Sequence, residues 1–522
     1  LIFQNIHLIE KQLTMKQKYL FQSVLGISLG VAIMLPTTGN AQYELQILHA
    51  SDLEGGVDAI ERAPNFAAIM DGLDDTYPNT VILSAGDNYI PGPFFSASSD
   101  PALRPALQAF YNEYFGIASN NFREGVGRVD ISIMNAIGFD ASALGNHEFD
   151  AQTSTIVEII GPQFSGPQVR WAGSQFPYLS ANLDFSADFG MNNLFVPTIE
   201  QNTFFQFAPP FVGMKKSLAP ATIITRGGEM IGVVGATTPL LASISSPGAT
   251  TVKNPGAGTN NMTDLATILQ PVIDQLLAAG VNKVILISHL QQLQLEQMLA
   301  PLLNGVDIII AGGSDAILAN PGDILNPGDV AFAAYPVQTV NADGDPCLIV
   351  STDGEYSYVG RLVVSFDDMG VIDPATIADV SGPYVSSEST VEAIWGSLES
   401  AFAPGTTGAQ VEALTNAVLG VVIAKDGNIF GSTDVFLEGR RAQIRTEETN
   451  FGNLSADANL WFGKQVDPTT AISIKNGGGI RAAIGEVVDL GGGVSQFLPP
   501  QANPISGKLE GEISQLDIEN TL

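Results

Sequence analysis

The sequence predicts an α/β layered fold with a second, smaller unit behind it, and three observations carry that prediction. Between residues 262 and 311, Leu265, Ile268, Val272, Leu276 and Leu277 recur at helical spacing, Gly280 ends the helix, and Lys283–Ser288 reads as a continuous buried strand. A second helix over Leu295–Leu303 and a second strand over Val306–Ala311 complete a strand, helix, strand unit. The same kind of strand recurs at Leu45–His49, Val81–Ser84 and Ala141–Leu144. A length of 522 residues predicts two to four domains, each large enough to close a hydrophobic core.

Taken from the start of the chain, residues 1–14 read as sequence upstream of a start methionine at Met15. Residues 15–41 have the layout of an export signal: a basic start, an apolar middle from Leu20 to Leu35, and small residues before Gln42. No other stretch reads as apolar enough to span a bilayer, so the expected product is secreted or periplasmic, with no stable membrane span after signal cleavage. Glycine and proline cluster at 247–258 and 320–329, where Asn-Pro-Gly-Asp occurs twice, and both are read as loops. The expected organisation is a first domain over 43–366, a linker and connecting helix over 367–410, and a second domain over 411–522.

Composition excludes whole classes of function. Lys plus Arg number 22 against 54 Asp plus Glu, a net charge of −32, which leaves too few cations to neutralise phosphates and argues against a nucleic-acid partner. Cys347 is the single cysteine, so an intrachain disulfide or a Cys-x-x-Cys zinc module is impossible. Any metal must be held by His, Asp, Glu or Asn.

Five predicted strand ends terminate in such residues: Asp52-Leu-Glu54, Gly86-Asp87-Asn88, Gly145-Asn-His-Glu-Phe-Asp150, His289, and Gly312-Gly-Ser-Asp315. The carboxyl ends of strands in an α/β sheet face one crevice, so residues distant in sequence converge there. With the segment Met134–Asp150, these residues resemble the calcineurin-like metallophosphoesterases, and in particular the two-domain secreted 5′-nucleotidases. The stretches Glu448–Ala458 and Lys475–Arg481 resemble that family's nucleotide-binding C-terminal domain.

The resemblance implies a four-layer first domain, two sheets flanked by helices, and an α+β C-terminal domain. It implies two divalent ions bridged by Asp87, with Asp52 at the first ion and Asn146 and His289 at the second. It makes His147 and Asp150 a catalytic dyad, and Arg445, Asn450, Asn476, Gly478 and Arg481 contacts to the substrate. The chain departs from the family's pattern where Asp-x-His is Asp52-x-Glu54 and where Gly-His-x-His, or Gln at the last place, is Gly312-Gly-Ser-Asp315. Glu54 and Asp315 would then make the first site all oxygen, which favours Mn²⁺, Mg²⁺ or Ca²⁺ over Zn²⁺. Gly313 donates no side chain, so the second ion is expected to bind more weakly.

The family's base-stacking aromatics would follow Leu522, and Phe497, inside a loop insertion at 482–510, is not expected to replace them; the sequence is therefore read as a fragment. The implied function is hydrolysis of nucleoside 5′-monophosphates to nucleoside and phosphate. The alternatives are a phosphodiesterase or 2′,3′-cyclic nucleotide hydrolase of the same family, and a decayed domain that only binds metal or nucleotide. Carboxylates at both 54 and 315, with His147 and Asp150 kept, favour a working enzyme.

Overall fold

The structure, a computed structural model, describes residues 43–522 except 57, 214, 481, 490–494 and 522. The export signal expected over 15–41 and the expected substrate contact Arg481 lie outside the described residues.

Two seven-stranded sheets form the scaffold. In the first, Tyr43–Ala50 runs parallel to Thr80–Ser84, which runs parallel to Ala141–Ala143, so three of the predicted site loops leave neighbouring strands at the same edge. In the second, Val284–His289 lies parallel between Glu229–Thr237 and Ile308–Gly312, bringing His289 level with Gly312. Alternation along the strands sets the layers. Leu45, Ile47, Val81 and Leu83 join one apolar cluster with Val233, Ile285 and Ile287 of the second sheet, whereas Leu48 and Ile82 face the other way into a cluster with helical Phe66, Ala67 and Met70. Each fully buried Leu or Ile contributes about 1.5–3 kcal/mol. The sheets approach closely at Gly235, where a Cβ would run into the Leu179 carbonyl.

On the outer face of the second sheet, the helix Met262–Ala278 buries Leu265, Leu269, Ile273 and Leu276. The four layers are thus helix, sheet, sheet and helix. The helix expected over 295–303 is instead Leu293–Leu299 followed by a 3₁₀ turn over Ala300–Leu302. Pro301 is the reason: it has no N–H to donate and disfavours the α conformation of the residue before it.

The acidic, serine-rich stretch read as a link supplies structure to the first sheet. Gly382–Val385 pairs antiparallel with Tyr358–Phe366 at the sheet edge. The helix Thr407–Asp426 begins at the N-cap Thr406 and runs through the expected boundary at 410. Its Val411, Leu414, Val418, Val421 and Val422 join the cluster that contains Phe66 and Met70. By length and composition this helix is apolar enough to cross a membrane, a feature missed by the sequence reading. Beyond it, short strands and the helices Arg441–Thr446 and Asn450–Val466 form an α+β region around a small core of Leu437, Ile444, Phe451, Ile480 and Ile484.

Candidate active site

Four of the five site loops leave their strands through a non-glycine residue in left-handed backbone. Glu54, Asp87, Gln291 and Asp315 have φ of 38°, 48°, 75° and 50°, half of the non-glycine residues with positive φ among the described residues. Such backbone costs on the order of 1–3 kcal/mol per residue and persists where the surroundings over-determine it. Gly86, with φ of 105°, has no room for a side chain, since a Cβ would lie 2.7 Å from the Gly145 nitrogen.

The ligand atoms of Asp52, Asp87 and His289 lie within 4.8 Å of one another, and so do those of Glu54, Asp87 and His147. Asp87 belongs to both groups. His289 Nε2 is 2.8 Å from Asp87 Oδ2 and 3.2 Å from Asn146 Oδ1, while its Nδ1 lies 2.9 Å from the Ala85 carbonyl. A carbonyl can only accept, so Nδ1 carries the proton and Nε2 faces the acids, the usual disposition of a metal-binding imidazole. Asp52 accepts the Gly313 N–H on both oxygens, at 3.0 and 2.9 Å.

Electrostatics favour a cation at this place. Burial, followed by the Asp87 charge, pushes the Glu54 carboxyl up to about 7. Burial also holds Asp52 well above the usual carboxylate range, despite the opposing charge of His289. Burial alone would lower His289, but the charges and hydrogen bond of Asp87, then Asp52, carry it up to about 10. Carboxylates raised by burial and mutual repulsion would be relieved by a divalent ion. These residues fit the two-ion site that the fold family implies.

His147 serves a second arrangement. Its Nδ1 is 2.7 Å from Asp150 Oδ2, and Asp150 Oδ1 accepts from Ser245 Oγ at 2.8 Å. Asp150 is not a helix N-cap: that place before Gln152–Ile160 falls to Ala151. Burial works against a charged His147, but the hydrogen bond to Asp150 and the charge of Asp87 raise it to about 9.

Asp315 lies apart from both groups of three, exposed at the mouth of the cleft, although its charge helps to raise Glu54. Three contributors escaped the sequence reading. Glu148, inside the quoted motif, accepts the N–H groups of Asp87, Asn88 and Gly145 and ties two loops together. Ser245 and Gln291 carried no local signal; Gln291 Nε2 lies 2.5 Å from Asn146 Oδ1.

The second group of expected residues lies in the C-terminal region. Arg445 is exposed and adjoins the Gly477–Gly479 turn, where a Cβ on Gly477 would meet the Ile444 carbonyl. Asn476 accepts from the Gly478 N–H at 3.1 Å and so organises that turn. Asn450 is occupied by the backbone, accepting from Glu438 N and donating to the Phe436 carbonyl, both at 2.8 Å. Phe497 packs on Phe436 at 5.2 Å and under Arg440 at 4.4 Å.

The chain is similar to known proteins over most of its length. The 5′-nucleotidase of Rattus norvegicus is 26% identical over 484 residues, covering 88% of this chain and 68% of the relative. The trifunctional nucleotide phosphoesterase of Bacillus subtilis is 26% identical over 451 residues, covering 85% of this chain and 25% of the relative. Among solved structures, the 5′-nucleotidase precursor from Thermus thermophilus superposes with a TM-score of 0.56 at 22% identity, covering 92% of this chain and 74% of that one. No protein-family profile matches the chain. The chain is a 5′-nucleotidase-like hydrolase: it is similar to 5′-nucleotidases over most of its length and shares the calcineurin-like phosphoesterase fold.

Proposed function

We propose that the protein hydrolyses nucleoside 5′-monophosphates to nucleoside and inorganic phosphate, and that two divalent ions are required. The observation that carries this reading is the pair of three-residue groups sharing Asp87 at the carboxyl edge of both sheets. Asp52, Asp87 and His289, with Asn146 beside them, would hold one ion, and Glu54 and Asp87 the other, with Asp315 closing it from the cleft mouth. When bound, such ions polarise phosphoryl oxygens and make a water nucleophilic at neutral pH.

The chain's own side chains do the remaining work. His147, oriented by Asp150, carries the proton that the leaving oxygen needs. Ser245 holds the second oxygen of Asp150, keeping the carboxylate turned toward the ring. Glu148 locks the loops of Asp87 and Asn146 so that both arrive in register. Arg445 and the Gly477–Gly479 turn, together with Arg481, are assigned to the nucleotide, a guanidinium being suited to bidentate contact with phosphate. The oxygen-rich donor set favours Mn²⁺, Mg²⁺ or Ca²⁺. Residues 15–41 are assigned as an export signal, which places the enzyme outside the cytoplasm.

The test is phosphate release from adenosine 5′-monophosphate by demetallated protein titrated separately with Mn²⁺, Mg²⁺, Ca²⁺ and Zn²⁺, beside a simple phosphodiester. Release from the monoester with a preference for an oxygen-loving ion is expected. Turnover of the diester alone would replace the reaction, and silence with every ion would leave a binding protein.

A further inference from the structure

We propose that Gln291 supplies the side-chain oxygen that Gly313 does not, and so completes the ion position formed by Asp52, Asp87, Asn146 and His289. The inference rests on the two-ion reading above. Gly313 stands where the strand Ile308–Gly312 delivers the chain to the crevice, but with φ of 79° and no side chain it offers only its N–H, to Asp52. The space it leaves is filled. A Cβ built on Gly313 would lie 2.5 Å from Gln291 Nε2 and 2.8 Å from His289 Nε2. The Gln291 carboxamide therefore sits beside the imidazole nitrogen that faces Asp87, where a ligand from position 313 would emerge.

Two further features bear on its role. Gln291 reaches that place through a left-handed backbone, φ of 75°, which glycine would adopt without steric cost. Strain of this kind in a non-glycine residue is retained where the side chain is needed. Its amide nitrogen also lies 2.5 Å from Asn146 Oδ1, itself 3.2 Å from His289 Nε2, so the three polar groups converge on one point. The terminal torsion of a glutamine is soft, and a half-turn exchanges Nε2 for Oε1 at the same position. Without a cation, the N–H toward Asn146 is the favourable orientation; with one, two amide oxygens and an imidazole nitrogen face it. A neutral oxygen for an imidazole also moves this position toward harder ions.

Calorimetric titration of the demetallated full chain with Mn²⁺ alone tests the proposal. Wild type is expected to take up two ions. Gln291→Gly should keep the first with unchanged affinity and bind the second about 10–100-fold more weakly, as outer-sphere and ligand losses typically do. Its ion-free Tm should equal or exceed that of wild type, because the backbone strain is relieved. Gln291→Leu, similar in size but lacking an oxygen, should lose the second ion as Gln291→Gly does, and Gln291→Glu should keep it within a few-fold. Retention of both affinities by the glycine or leucine variant would overturn the assignment of Gln291 while leaving the two-ion reading intact. Uptake of one ion or none by wild type would overturn both.

Discussion

In the two-sheet region the chemistry-bearing side chains are sunk into the protein: Asp52, Asp87, Asn146 and His289 are 3%, 2%, 5% and 0% exposed. In the C-terminal region, Arg445, Asn450 and Asn476 lie at the surface, above a core of five buried apolar residues among those described. Trp461, Phe462 and Ile474 of that region are 66%, 66% and 89% exposed. On the proposed function, the difference is one of what each region has to hold. Converging acids repel one another and must be pinned before an ion arrives, which requires a large rigid core and fully used backbone donors. A guanidinium that meets a phosphate needs only reach, and can sit on a lightly packed support.

The comparison is most directly broken at Asp87. Asp87→Ala removes the carboxylate common to both groups, and both ions and roughly 10³-fold or more of turnover should be lost; unchanged metal content would reject a shared ligand. His147→Gln should cost about 10²–10⁴-fold in kcat, the usual worth of a positioned proton donor. If metal uptake fell as steeply as kcat, His147 would be a ligand, in keeping with its place near Glu54 and Asp87.

On the exposed side, Arg445→Ala should raise KM for a nucleotide about tenfold or more, the loss of one charge-assisted contact. Its kcat and Tm should stay near wild type, and a collapse of kcat would place Arg445 in the reaction itself. Asn450→Ala should do the reverse, costing about 1 kcal/mol of stability with KM little changed, because its amide is spent on two backbone groups.

A smaller effect sharpens the contrast in burial. His49, fully buried and stacked on Tyr335, is pushed by burial down to about 3. Its folded-state pKa lies below the unfolded value, so between these limits only the unfolded chain takes up the proton. Its contribution is therefore intact above about pH 6.5 and declines as pH falls toward 3. His49→Gln, which can keep a hydrogen bond to Tyr335, should flatten the fall of Tm over that range; an unchanged slope would assign acid lability to the carboxylates.

Much of the first region was legible in the sequence because the signal is local. An apolar run followed by Gly-Asp, Gly-Asn-His or Gly-Gly makes a buried strand and a tight turn from neighbouring residues alone, so Asp52, Asp87, His147 and His289 could be named in advance. The edge strand Gly382–Val385 was not legible, since it is only four residues long and opens on Gly-Pro, which reads as a turn and leaves no apolar run to detect. The role of Asn450 was equally hidden, because its partners are backbone groups of residues 436 and 438, whose position depends on the folded turn.

The sequence by itself determined which strand ends carry ligand-type residues and the absence of a cysteine-based metal site, for which residue type and short-range spacing suffice. That Glu54 and Asp315 stand where imidazoles would be expected came from the resemblance to the metallophosphoesterases. Only the tertiary structure decided that Asp52 shares a group with His289 while Glu54 shares one with His147. It also decided that Ser245 holds Asp150 and that the Gln291 amide fills the space beside Gly313. Those relations join atoms from strands and loops far apart in the chain, and they exist only once two sheets have packed and their strained turns have aimed the side chains at one another.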